Sequence, residues 1–165
     1  MNKTEALQYL DSQQDFLFHT SDSIWDNPET DYHEEKSSAI LKNALTEAGF
    51  TVQSGLAGIP TAFSGSYGSG KPVIGFLGEF DALSGLSQEA GITEKKPIAE
   101  GGNGHGCGHN LLGTGSLAAA IAVKKYLEDS GKPGTVIFFG CPAEEGGSGK
   151  AFMAKAGVFD GVDIA

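Results

Sequence analysis

The sequence of 165 residues lacks the features that would tie it to a membrane, a nucleic acid or an oxidising compartment. Its two cysteines, Cys107 and Cys141, are too few for a disulfide framework, so a metal-binding or buried role suits them better. Basic residues number 11 against 21 acidic ones, and the net charge of −10 would repel a phosphate backbone. The N-terminus lacks the apolar core of a signal peptide, and the most apolar stretch, residues 111–123, is too short to span a bilayer. We therefore expect a cytoplasmic protein without nucleic-acid or membrane partners.

The composition that is present is typical of one globular domain, with 39% hydrophobic and 19% charged residues. Most of the 25 glycines lie beyond Gly55 and interrupt apolar runs without forming a tract. Glycines placed in this way indicate tight turns between strands and helices. The chain therefore has the material for a layered fold with a proper core.

Hydrophobic periodicity predicts an alternation of helices and strands in the second half of the chain, which indicates an α/β fold with a layered mixed sheet flanked by helices. Residues 66–70 are predicted to form a turn, and residues 82–104 a long irregular loop, of the kind that is often functional. Because the sequence ends inside a predicted strand, we expect a truncated domain. The predicted helices cover residues 3–24, 32–48, 111–128 and 150–156, and the predicted strands cover residues 50–54, 61–64, 72–77 and 135–139, with another beginning at 162.

The clearest chemical signal is Gly-His-Gly-Cys-Gly-His-Asn at residues 104–110. Cys107 and His109 are separated by one residue, and thiolate and imidazole both suit zinc if the backbone lets them reach one ion. On spacing alone, a glycine-rich turn with a buried cysteine and a helix-capping histidine explains the pattern equally well. His105 is a third candidate, either behind the ligands or facing a substrate.

Glu144 and Glu145 follow the predicted strand at 135–139, so they lie at the carboxyl end of a strand, where open α/β sheets place their sites. Adjacent glutamates in isolation usually belong to a solvated surface. Because neighbouring side chains project in different directions, one carboxylate can bind a metal while the other reaches a water molecule beside it. A dication would also offset the repulsion between them.

Glu79 and Asp81 end another predicted strand and have the i, i+2 spacing that places two side chains on one face. Two carboxylates on one face at a sheet edge are costly without a cation. The alternative, a solvated strand terminus, is the better supported interpretation of this segment taken alone.

Three ordered motifs resemble the metal-dependent aminoacylase/carboxypeptidase family of amidohydrolases, in the branch that contains the indole-acetyl-amino-acid hydrolases. The motifs are Glu-Phe-Asp-Ala-Leu at 79–83, the glycine-rich motif at 104–110, and Pro-Ala-Glu-Glu-Gly-Gly at 142–147. The resemblance covers nearly the whole chain. It implies a zinc-peptidase-like catalytic domain that is incomplete. Residues 1–165 would be its N-terminal part, without the dimerisation or lid domain and without the C-terminal part of the catalytic domain.

The same resemblance implies a role for each candidate residue. Cys107 and His109 are metal ligands, Glu145 is a ligand at the other metal position, Glu144 is the general base, and Asp81 is the supporting aspartate. The implied cofactor is a divalent metal, zinc or manganese, with two ions in a complete site. The implied substrate is a small N-acyl or aminobenzoyl amino acid, and the implied full-length form is a homo- or hetero-oligomer.

The resemblance also identifies what this stretch of sequence does not supply. The family uses two further histidines that have no match here, and Glu79 stands where peptidase relatives have a ligand histidine, so its role stays open. We therefore expect little or no turnover from these residues alone. Two alternatives stay open: a non-catalytic remnant or partner subunit that retains half of a metal site, and a thiol-based metal or redox module built on Cys107 and Cys141.

Overall fold

The computed structural model describes residues 1–165 and contains a four-stranded mixed sheet with helices on both faces. The strand order is β1-β2-β4-β3, in which β3 and β4 run parallel and the other pairs are antiparallel. This architecture confirms the predicted α/β layered fold. None of the helices combines the length and the apolar character that crossing a bilayer requires. The elements are α1 (Lys3–Ser12), α2 (Gln14–Trp25), α3 (Glu35–Glu47), β1 (Thr51–Ser54), a short 3₁₀ helix (Leu56–Gly58), β2 (Phe63–Ser69), β3 (Val73–Glu79), α4 (His109–Ser130), β4 (Gly134–Cys141), α5 (Glu144–Gly147) and α6 (Gly149–Lys155).

Strand β4 separates two apolar clusters, because its side chains alternate between the faces of the sheet. Val136 and Phe138 belong to the larger cluster, which is shared with α3 and α4. Phe139 and Cys141 belong to the smaller cluster, which includes Met153 of α6. Complete burial of a large apolar side chain contributes about 1.5–3 kcal/mol. These two clusters therefore fix β4 between α3 and α4 on one face of the sheet and α6 on the other.

The functional edge of the sheet is set by the parallel pair β3 and β4, which end side by side with Glu79 opposite Cys141. Helix α4 begins at the same edge with His109. Gly113 permits this close approach, since a Cβ atom there would lie 2.5 Å from the carbonyl oxygen of Glu79. The carboxyl ends of two strands and the N-terminus of a long helix therefore meet at one place.

The predicted helix boundaries were wrong at two points in the N-terminal region. The helix expected over residues 3–24 is two helices divided at Gln13, where the Ser12 hydroxyl donates to the carbonyl oxygen of Tyr9. The helix expected from residue 32 begins at Glu35, because Asp31 and Tyr32 have φ values of 51° and 66°. Such left-handed backbone cannot belong to an α-helix.

Two predictions about strands have different outcomes. Residues 66–69 are not a turn but the second half of β2, since they pair with β4 as far as Ser69 opposite Gly134. The strand expected to begin at residue 162 is confirmed as far as residue 165, since Ile164 forms a parallel bridge with Ile74 of β3. In residues 66–69 the pairing with β4 overrides the turn signal of serine and glycine.

Candidate metal centre

His109, the first residue of α4, is the centre of the candidate site and is only 2% exposed. Its Nδ1 atom lies 2.9 Å from Oδ1 of Asp81. With that nitrogen occupied, Nε2 faces the carboxylates of Glu79, Glu145 and Glu144 at 3.1, 3.7 and 3.9 Å. Histidines that ligate a metal in proteins commonly have this arrangement: one ring nitrogen binds a carboxylate, and the other is available to the metal.

Cys107 completes a group of three ligand types. Its Sγ atom, a nitrogen of His109 and a carboxylate oxygen of Glu145 all lie within 4.8 Å of one another. A second group that meets the same limit is formed by Glu79, His109 and Glu144. Both groups share His109, so the two sets of ligands are adjacent.

Negative charge is in excess around His109. Four carboxylates surround the ring, whereas one lysine, Lys150 of α6, forms an ion pair with one of them, Glu79. Such a concentration of like charge is unfavourable unless a cation is bound. The donors fit a divalent metal: thiolate, imidazole and carboxylate are the ligands that zinc accepts, and the carboxylates also suit manganese.

The carboxylates around His109 also shift the pKa values of the groups at the site. A hydrogen bond to Asp81 raises the pKa of His109 against the effect of burial, and nearby carboxylates add to the increase. The carboxylate of Glu145 raises the pKa of Cys107, first through a hydrogen bond. Burial would raise the pKa of Asp81, but hydrogen bonds from His109 and from the Glu145 N–H hold it below the usual value. A bound cation would therefore displace protons from the thiol and from the imidazole.

Comparison with known proteins identifies the family. The profile of Peptidase family M20/M25/M40 matches residues 75–165, which is more than half of the chain and includes the whole candidate site. The chain belongs to this family. The resemblance to metal-dependent amidohydrolases that the three motifs carry is thereby confirmed.

Relatives within the M20 family show how much of a complete protein this chain represents. It is 60% identical over 145 residues to a subunit of the p-aminobenzoyl-glutamate hydrolase of Escherichia coli K12, covering 88% of the chain and 30% of that protein. An aminohydrolase from methicillin-resistant Staphylococcus aureus has a TM-score of 0.78 at 25% identity, covering 99% of the chain and 41% of that structure. A Bacillus subtilis peptidase of the M20 family, described as dinuclear metal binding, has a TM-score of 0.75 at 22% identity, covering 93% and 42%. The chain thus spans less than half the length of these relatives.

All five residues predicted for the site lie together in this M20 domain, although their roles stay predictions. Cys107, His109 and Glu145 form one group, although the resemblance assigns Glu145 to the other metal position. Glu144 belongs to the adjacent group, and Asp81 contacts Nδ1 of His109. The sequence left the role of Glu79 open. The structure places it at Nε2 of His109, in the same set of side chains.

Two other candidates lie apart from this set. His105 points to α2, with Nε2 at 3.1 Å from the carbonyl oxygen of Ile24 and its ring stacked on Trp25. Cys141 is buried in the smaller apolar cluster, where burial raises its pKa to about 12. Both cysteines are free, and Cys141 belongs to neither ligand group. The thiol module that pairs Cys107 with Cys141 therefore has no structural support.

Three residues that contact the site or the short helix α5 were not predicted from the sequence. Lys150 forms an ion pair with Glu79, Glu34 accepts the N–H of Ala143, and Tyr32 donates to the carbonyl oxygen of Gly147. Lys150 offered no signal, since a lysine in an amphipathic segment normally faces solvent. Glu34 lies in the polar run His33–Lys36, which is typical of a solvated surface, so its complete burial could not be anticipated.

Proposed function

We propose that the full-length protein is a metal-dependent amidohydrolase that cleaves the amide bond of an N-acyl or aminobenzoyl amino acid. Residues 1–165 are the N-terminal part of its catalytic domain, and a dimerisation or lid domain and the rest of the catalytic domain complete it. The proposal is supported by the M20 family match and by the identity to a p-aminobenzoyl-glutamate hydrolase subunit. The single observation that carries it is the convergence of Cys107, His109 and Glu145 beside Glu144.

The residues that would hold the metal are Cys107, His109 and Glu145, and Glu79 lies beside Nε2 of His109, close to a second position. Two ions per complete site agree with the dinuclear description of the B. subtilis relative, and the donor types suit zinc or manganese. When bound, a divalent metal lowers the pKa of water towards neutrality and polarises a carbonyl group. Asp81 keeps His109 in the orientation and tautomer that leave Nε2 free.

Glu144 is the general acid and base in this proposal. Its side chain is 38% exposed and its Oε2 atom lies 3.9 Å from Nε2 of His109, so it is accessible to both water and substrate. Glu144 takes a proton from the attacking water and later gives that proton to the departing amine. Proton transfer by a positioned side chain contributes about 10²–10⁴-fold to the rate.

The 165 residues alone leave this site open to water. Cys107 is exposed, and Glu144 and Glu145 lie in the short helix α5, which has no buried residue. Open sites lose much of the electrostatic stabilisation that water exclusion provides. We therefore expect little or no turnover from the isolated chain. Because the E. coli relative is named as a subunit, we also expect an oligomeric full-length form that acts on a small-molecule substrate.

The test is a screen of the full-length protein, loaded with zinc or manganese, against a panel of N-acyl amino acids that includes aminobenzoyl-glutamate. We expect hydrolysis of at least one substrate and its loss after treatment with a chelator. Replacement Glu144→Ala should lower kcat by at least about 10²-fold while bound metal stays nearly unchanged. Loss of metal from that variant would exchange the roles of Glu144 and Glu145. No hydrolysis of any substrate by the loaded wild-type protein would favour the non-catalytic alternative.

A further inference from the structure

Glu34 is a buried carboxylate to which the proposed reaction assigns no role. It directly precedes α3 and is 0% exposed. Its Oε1 atom accepts hydrogen bonds from the N–H groups of Ala143 and Tyr32 at 2.9 and 3.0 Å. Burial raises the pKa of Glu34, although these N–H groups oppose the increase. A carboxylate is costly in such a place, and an apolar side chain of the same size would fill it without that cost.

The contact with Ala143 is the informative one, because Ala143 immediately precedes Glu144. Ala143 is fully buried and has left-handed backbone, with φ 51° and ψ 48°. A residue with a Cβ atom adopts this conformation only when its surroundings hold it there. Its N–H is one of the groups that the surroundings must satisfy, and Glu34 provides the acceptor.

Tyr32 contacts the other end of helix α5. Its hydroxyl donates to the carbonyl oxygen of Gly147 at 2.5 Å. The ring packs so closely against Gly147 that a Cβ atom there would collide with Cε2 of Tyr32. Tyr32 and Glu34 therefore contact α5 at its last residue and at the residue before its first.

Asp81 also contacts α5, since its Oδ2 atom accepts the N–H of Glu145 at 3.0 Å. The N–H groups on either side of Glu144 are thus each bound by a buried carboxylate, one of which belongs to the metal centre and one of which does not. We propose that Glu34, assisted by Tyr32, is a positioning residue that fixes helix α5, which carries Glu144 and Glu145. The inference rests on the proposed role of Glu144 as the general base.

The test compares two replacements of Glu34 in the full-length protein. Glu34→Met keeps the volume but removes the acceptor, and Glu34→Gln keeps a carbonyl acceptor at the same place. Because a displacement of about 1 Å at a catalytic group costs about 10²-fold in rate, we expect Glu34→Met to lower kcat by about that factor with KM nearly unchanged. Glu34→Gln should restore kcat to within about tenfold of the wild type.

A second readout does not depend on turnover. Hydrogen exchange of the Ala143 amide should become at least about tenfold faster in Glu34→Met, while the amides inside β4 keep their protection. The matched control is Leu45→Ala, which destabilises the core at the far end of α3 without contacting α5. It should keep both kcat and Ala143 protection when it is measured below its own Tm.

Unchanged kcat together with unchanged Ala143 exchange in Glu34→Met would overturn the inference, and so would an equal loss of kcat in Leu45→Ala. If the wild-type protein hydrolyses none of the substrates, the proposed function fails, and Ala143 exchange alone then decides the role of Glu34. Should Glu34→Met not fold, Tyr32→Phe carries the test with Glu34 in place. We expect about a tenfold lower kcat in that variant, and an unchanged kcat would contradict the inference.

Discussion

The two ends of the parallel strands β3 and β4 differ in the burial and pairing of their charged side chains. At the amino end, Lys71 and Asp163 form an ion pair at 2.6 Å, and the lysine side chain is 75% exposed. At the carboxyl end, His109 and Asp81 are buried against each other, and further carboxylates crowd the same ring. Exposed pairs are screened by water and contribute little, whereas buried charges must be matched by partners.

The balance of charge differs as well. At the amino end Lys71 is matched by Asp163, and Lys132, just before β4, donates to the hydroxyl of Tyr126. The carboxyl end has four carboxylates and one lysine, Lys150, so His109 alone cannot neutralise it. One pair of strands therefore ends in an ordinary surface on one side and in a site that needs a cation on the other.

The largest effect expected from this comparison is the loss of metal in Cys107→Ser. Removal of groups that only orient a ligand already weakens metal binding by about 10–100-fold, so loss of a ligand should weaken it by more. Elemental analysis of the dialysed full-length protein measures the effect. The control is Cys141→Ala, which removes the buried cysteine outside both ligand groups and should leave the metal content unchanged. An unaltered stoichiometry in Cys107→Ser would remove Cys107 from the ligands.

A smaller effect is expected in the pH dependence of stability without metal. The hydrogen bond to Asp81 raises the pKa of His109, so folding favours the protonated ring. This contribution to the free energy of unfolding is fully present below about pH 6.5 and is lost as the pH rises through the pKa of the folded state. The Tm difference between the wild type and His109→Gln should therefore shrink between pH 6 and pH 9. One pKa unit corresponds to roughly 3–6 °C in a chain of this size. A difference that grows with pH would contradict this assignment.

The smallest effect is expected at the amino end of the strands. Lys71→Met removes an exposed ion pair, so Tm should change by no more than about 2 °C, and metal content should not change. Thermal unfolding and elemental analysis measure both quantities. A loss of metal in this variant would mean that the two ends of the sheet are coupled, against the comparison above.

The fold could be predicted where the sequence pattern is local and strong. The apolar run that becomes β4 and the helix that becomes α4 were both anticipated, because each has a clear period and clear flanking breakers. Serine and glycine in residues 66–70 predict a turn, but pairing with β4 extends the strand as far as Ser69. Asp31 and Tyr32 have left-handed backbone, so α3 begins later than predicted, and the Tyr32 hydroxyl contacts Gly147, which is 115 positions away.

The candidate site could be predicted as far as the motifs reach. Cys107, His109, Glu144 and Glu145 lie in short motifs with recognisable chemistry, and they do converge. The supporting residues could not be found in this way. Glu34 is 109 positions from the amide that it binds, so only the folded chain reveals its partner.

X-ray absorption at the zinc edge of the loaded full-length protein tests the central claim most directly, since that claim is the shared coordination of one ion by Cys107, His109 and Glu145. The account predicts a sulfur scatterer at about 2.3 Å and nitrogen or oxygen scatterers at about 2.0–2.2 Å, with the sulfur lost in Cys107→Ser. A spectrum of the wild-type protein that contains only nitrogen and oxygen scatterers would contradict it.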